Sequence, residues 1–257
     1  KGVFTGKPIC FGGSQGREEA TSAGGMYATR AYLESQDLDP NGLKVIIQGA
    51  GNVGSHAARI AEEMGMVVVG ISDSKGAIYN PDGFEVDRVL SCKLEFGSVK
   101  HCIEEQINVD GLDIEKFELM TNEQLLEQEC DILFLSALES QVTADNADNI
   151  LAKVVVELAN GPVTPEADRI LEENKVDVLP DVLMNAGGVT VSYLEWVQNQ
   201  NDNYLTKSEV LKSLDKRMTK AYKETLSYKN KYKCSFRIAS YIKALKRLQG
   251  IWEVRGN

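Results

Sequence analysis

Histidine is scarce, cysteine pairs are missing, and no long apolar run interrupts the 257 residues of the sequence. The two histidines, His56 and His101, each lack a ligand neighbour at metal-binding spacing, so no structural metal is expected. The five cysteines (Cys10, Cys92, Cys102, Cys130 and Cys234) form no CxxC pair and no framework spacing, and they read as reduced thiols of a cytoplasmic protein. No window approaches the ~20 apolar residues that span a bilayer, which excludes a membrane helix. The opening Lys1-Gly2-Val3-Phe4-Thr5-Gly6-Lys7 has no apolar signal-peptide core. Basic residues are outnumbered, 28 Lys and Arg against 38 Asp and Glu, for a net charge of -10. Nucleic-acid binding needs the opposite balance. Repeats, low-complexity tracts and Pro-rich linkers are absent. Methionine is missing from the first position, so the chain reads as cut from a longer polypeptide.

What remains is ordinary for a globular chain with a core: 43% hydrophobic and 26% charged residues. Leu43 to Gly49 is a short apolar run ending in glycine, as a buried parallel strand should be. Val53, Ala57, Ile60, Ala61 and Met64 then recur at helical spacing, and Met66 to Ile71 is a second β-branched run ending at Ser72-Asp73. Strand, helix and strand within about 30 residues make a βαβ unit. Asp131 to Leu135, Lys153 to Val156 and Val176 to Leu179 read as further strands. Thr121 with Gln124 forms a capping box, and Thr164-Pro165 places proline at a first helical position. Glu85 to Glu118 reads as helix, surface loop and polar insertion. From Val191 the strand signal ends. Thr206 and Glu209 cap a long helix through Val210, Leu214, Met218, Ala221 and Leu226, and a last helix near Phe236 to Leu248 carries Ile238, Ile242 and Leu245 on one face. Its lysines and arginines read as a solvated face.

The predicted class is α/β, a Rossmann-like doubly wound, mostly parallel sheet with a C-terminal helical appendage. Residues 1–190 would form the dinucleotide-binding domain and 191–257 the helical segment packed on it. Gly49-Ala50-Gly51-Asn52-Val53-Gly54 is a GxGxxG placed between strand and helix. Its first glycine allows a tight turn, its second a close approach to pyrophosphate, and its third close packing of helix on strand. Asp73, about 20 residues on at the end of the next strand, is placed to accept from a ribose diol. The plainer reading is a glycine turn and a surface aspartate. NAD is the favoured cofactor, but Lys75 beside Asp73 and Ser74 keeps NADP open. Asn160 and Asn185 each follow a strand, where such sheets bind ligands; equally, they read as turn or cap residues.

In order along the chain, GGSQGREEAT (12–21), QGAGNVG (48–54), SDSKG (72–76), ANGPVTPEAD (159–168), PDVLMNAGGVTVSYLEWVQN (180–199) and RIASYI (237–242) resemble the nucleotide-binding domain of the glutamate dehydrogenase family. The resemblance spans essentially the whole chain. It implies reversible oxidative deamination of L-glutamate to 2-oxoglutarate and ammonia with NAD(P), in a parent that is a homo-oligomer. It also implies that Thr21 and Asn185 contact the nicotinamide carboxamide with Arg17 close by. Asn52 and Val53 would meet the pyrophosphate, Asp73 and Ser74 the adenosine ribose, and Ser136, Ala137 and Asn160 the remaining ribose region. Val189 and Ser192 would line the pocket for the substrate's side-chain carboxylate, on a helix launched by a Gly187-Gly188 turn. Ser22, Ala50 and Ser136 depart from the family's usual residues. The family's catalytic lysine and aspartate lie in an upstream domain with no equivalent here, so no catalytic residue is expected in this chain. Two other readings are open: another amino-acid dehydrogenase, or a nucleotide-binding module without chemistry.

Overall fold

Strands buried on both faces need apolar runs and helical crossovers, and the chain supplies the two in alternation. The computed structural model describes residues 2–107, 109 and 112–256. Lys1, on which the reading of a cut N-terminus rests, and part of the expected polar insertion lie outside the described residues. The chain runs through α1 (Ala20–Ser35), β1 (Lys44–Gln48), α2 (Asn52–Glu63), β2 (Val67–Asp73), β3 (Gly76–Tyr79), α3 (Val86–Phe96), α4 (His101–Glu104), β4 (Glu118–Met120) and α5 (Asn122–Leu126). It continues through β5 (Ile132–Leu135), β6 (Val154–Glu157), α6 (Pro165–Glu173), β7 (Asp177–Leu179), α7 (Asp181–Met184), α8 (Gly187–Asn201), α9 (Lys207–Tyr232) and α10 (Phe236–Arg255).

The seven strands lie in the order β4-β3-β2-β1-β5-β6-β7. The five expected strands form its parallel part, and β3 and β4 add an antiparallel edge that the sequence reading did not contain. Strand order reverses at β1, which pairs with β2 on one side and β5 on the other. The loops leaving β1 and β5 therefore diverge to opposite faces and open a crevice at the strands' carboxyl ends.

Both capping boxes form, at Thr121–Gln124 and Thr206–Glu209, and Thr164 caps α6 with Pro165 in its first turn. Each such cap contributes about 1 kcal/mol. Tyr32 of α1, Tyr222 of α9 and Phe236 of α10 pack ring against ring, with centroids 5.8 to 6.3 Å apart. Pairs of this kind add about 0.5–1.5 kcal/mol each beyond their burial, and these three fasten the last two helices to the first. Position 190, the expected domain boundary, falls inside α8. One buried cluster runs from α1 and the sheet through α8 and α9 to Phe236.

The expectation for the cysteines is corrected. Cys92 of α3 and Cys102 of α4 form a disulfide, with Cα atoms 6.1 Å apart, instead of standing as reduced thiols. The turn after α3 folds α4 back on it and brings together two residues whose ten-residue separation matches no familiar framework. Cys10, Cys130 and Cys234 are free. The cysteines thus no longer argue for a reducing compartment. On α10, the face bearing Ile238 and Leu245 is open, these side chains being 50% and 64% exposed, while Phe236 and Ala239 turn inward. No described helix is long and apolar enough to cross a membrane.

Candidate functional site

The glycine turn sits at the switch point. Gly49, at φ 93, adopts a left-handed conformation, and a Cβ there would stand 2.7 Å from the Ala137 methyl. The same atom on Gly54 would lie 1.6 Å from the Gly49 carbonyl oxygen. The loop and the first turn of α2 are therefore closed on each other by the absence of side chains. Gly51 differs. It is the N-cap of α2, no side chain caps the helix, and an added Cβ would meet nothing within 4 Å. The helix start, with its amides unsatisfied and its positive dipole end, faces open space and suits an anion.

The departures noted in the sequence converge on this loop. The buried Ser22 hydroxyl donates to the Val53 carbonyl at 2.6 Å, and the Ser136 hydroxyl is shared between the carbonyls of Gln48 and Gly49 at 2.7 and 2.8 Å. Ala50 is itself buried, its amide donating to Ser72 O at 2.6 Å. Lys93 of α3 donates from Nζ to the Ala50 carbonyl. Sequence reasoning missed Lys93, since only the packing of α3 on α2 brings it there. The Asn52 side chain donates from Nδ2 to Glu18 O at 3.0 Å, tying α2 to the segment before α1.

Asp73 closes β2. Its carboxylate accepts from Val99 N at 2.7 Å and Lys75 N at 2.8 Å, with Ser98 Oγ at 3.4 Å. It thus anchors the turn between the disulfide-linked helices as well as its own loop, and a carboxylate with about four acceptor sites retains capacity for a ligand hydroxyl. A surface cavity beside it is lined by Ser74, Lys75, Lys100 and Asn122, among others.

Across the crevice, beyond β6 and β7, Asn185 Nδ2 donates to Asn160 Oδ1 at 2.8 Å. The two asparagines picked out from sequence thus meet. Arg17, Thr21, Gly188 and Ser192 also come together: Arg17 Nε donates to Ser192 Oγ at 3.2 Å, and a Cβ on Gly188 would lie 2.7 Å from Thr21 Oγ1. Gly187 and Gly188 are not a turn but the first residues of α8 itself. Their role is close packing, since a Cβ on Gly187 would lie 1.9 Å from Ala20 O of α1. Val189 is 69% exposed on the same helix. His56 lies on α2 and His101 stacks on Phe96, with ring centroids 5.0 Å apart.

Sheets that seat a dinucleotide do so at such a switch point, over such a glycine turn, so the class is a Rossmann-type dinucleotide-binding fold. The chain belongs to the Glutamate/Leucine/Phenylalanine/Valine dehydrogenase family, whose model matches residues 12–256. It is 44% identical over 256 residues to the glutamate dehydrogenase of Thermotoga maritima, covering 99% of this chain and 59% of that protein. To the NAD-specific glutamate dehydrogenase of Staphylococcus aureus it is 41% identical over 255 residues, covering 99% of this chain and 58% of that one. Among solved structures, the hetero-hexameric glutamate dehydrogenase of Thermus thermophilus in its leucine-bound form superposes with a TM-score of 0.86 at 32% identity. That match covers 98% of this chain and 57% of the other. The chain thus spans under three-fifths of the length of each of these relatives.

Proposed function

We propose that this chain is the NAD-binding part of a glutamate dehydrogenase, an enzyme that reversibly converts L-glutamate to 2-oxoglutarate and ammonia. The observation that carries the reading is the uncapped start of α2 facing open space above Gly51, within a chain whose relatives are named glutamate dehydrogenase, some of them NAD-specific. The fit to a dinucleotide is good. Gly51 leaves room for a pyrophosphate, the main-chain amides of Asn52 and Val53 at the uncapped start of α2 would donate to it, and Asp73 and Ser74 at the next strand end would take the adenosine ribose. Ser136 has its hydroxyl engaged with the glycine loop, so we assign the second ribose to the main chain of Ser136 and Ala137 and to Asn160. Thr21 and Asn185 would hold the carboxamide. When bound, NAD accepts a hydride from the substrate carbon; the chain's own residues bind and orient. We assign no proton transfer to this chain. The acid and base would come from the part of the relatives' length it does not span, and the whole would assemble as a homo-oligomer.

NAD is favoured over NADP because Asp73 would repel a 2′-phosphate and accept from a free diol. Asp73→Ser should weaken NAD binding by about 1.5–3 kcal/mol, the range for a charge-assisted hydrogen bond, and raise NADP affinity relative to NAD. Calorimetry on both forms reads the ratio. An unchanged ratio would move the choice to Lys75 or Lys93.

The substrate reading is tested at Ser192 in the complete enzyme. Arg17 donates to the Ser192 oxygen, which leaves the hydroxyl hydrogen to donate to the substrate's side-chain carboxylate. Ser192→Ala should lower kcat/KM for glutamate about tenfold to a hundredfold, the loss of roughly 1.5–3 kcal/mol. Norvaline, which has no side-chain carboxylate, should be nearly unaffected. Equal losses on the two substrates would reject the pocket and favour an apolar amino acid.

A further inference from the structure

Glu157 at the end of β6 is wholly buried, and its carboxylate is met by a side chain eighty positions further along the chain. Arg237, second residue of α10, donates from Nη1 to Glu157 Oε2 at 3.0 Å and from Nη2 to Oε1 at 2.9 Å. Its Nε reaches Asp168 Oδ2 at 2.9 Å, and Nη1 stands 3.5 Å from Asp181 Oδ1. One guanidinium thus faces three carboxylates. Burial pushes the Glu157 carboxyl upward, against the pull of Arg237, so the carboxylate depends on this partner. A buried ion pair contributes little net stability over an apolar pair of the same size, because desolvation offsets the attraction. Placement is what the fork geometry adds.

What it places is visible one layer out. Glu157 Oε2 also accepts from Asp181 N at 2.7 Å, and Asp181 Oδ2 accepts from Gly161 N at 2.9 Å. Gly161 follows Asn160, while Asp181 opens α7 and takes the amide of Asn185 on its carbonyl at 3.0 Å. Asp181 therefore holds both the loop bearing Asn160 and the turn bearing Asn185, and the two asparagines meet at 2.8 Å. We propose that Arg237 is a positioning residue for the nicotinamide end of the cofactor site, setting Asn160 and Asn185 through Glu157 and Asp181. The proposal rests on the reading above that these asparagines face the nicotinamide half of the dinucleotide. The C-terminal helix, far along the sequence from the glycine turn, thereby takes part in cofactor recognition.

The test compares NADH with ADP, which reaches the glycine turn and Asp73 but has no nicotinamide half. Both are titrated calorimetrically into the full chain. Arg237→Lys keeps a positive charge opposite Glu157 and loses the fork; Asp181→Ala, at a partly exposed side chain, keeps the main-chain bonds to Glu157 and Asn185 and removes the carboxylate that holds Gly161 and the Asn160 loop. Each should weaken NADH about tenfold and leave ADP within about twofold, and Arg237→Lys should add little in an Asn185→Ala background. Equal weakening of NADH and ADP, or weakening of neither, overturns the proposal. Should Arg237→Lys fail to fold, Asp181→Ala decides by the same criterion. Asn185→Ala separates the two layers of inference. If it weakens NADH alone while Arg237→Lys and Asp181→Ala do nothing, the relay fails and the site stands; if Asn185→Ala also does nothing, the site assignment itself fails.

Discussion

Gly54→Ala should abolish measurable NADH binding and lower the melting temperature, whereas Gly51→Ala should weaken NADH with the melting temperature unchanged. Only three positions apart, the two glycines differ in what a methyl group meets. At Gly54 it would lie 1.6 Å from the Gly49 carbonyl oxygen and 2.5 Å from Ser136 Oγ, so loop and helix must separate. Overpacking of this kind costs about 1–3 kcal/mol or more, and the displaced loop is the one proposed to seat the phosphates. A loss of at least a hundredfold in NADH affinity, about 2.8 kcal/mol, is expected. At Gly51 the methyl enters open space with φ at -75, where alanine is unstrained. The folded chain should not register the change. A pyrophosphate brought against that backbone should, with about tenfold to a hundredfold loss on the same scale. NADH fluorescence titration and thermal melting on the two variants give four numbers. Similar behaviour of the two variants would mean that the ligand does not lie over Gly51.

The parallel part of the sheet was legible because its strands are mostly buried and announce themselves as apolar runs, Met66 to Ile71 above all. The edge was not. β3 opens at Gly76 on the heels of β2, and β4 is three residues long with Glu118 and Leu119 exposed, so neither shows a periodic signal. Gly187-Gly188 read as a turn because glycine pairs most often make one. Here they let α1 and α8 approach at Ala20 O, a contact that no local pattern records. Candidate residues such as Asp73, at the end of a strand, and Asn185, following one, could be picked out by their place. Their supports could not: Lys93, Val99 and Arg237 reach the site from α3, the turn after it and α10. The Cys92–Cys102 bond was missed for a related reason, since the fold of α4 back onto α3 decides it and not the spacing.

A division of labour is what we propose: this chain would seat the dinucleotide, and the groups that move protons would lie in the part of its relatives' length that it does not span. The most direct measurement gives the 257-residue chain NADH by calorimetric titration and then NAD with L-glutamate in a steady-state assay. The account predicts saturable NADH binding and no NAD reduction above background. Absence of NADH binding, or turnover near an ordinary enzyme rate of about 10 per second, would contradict it.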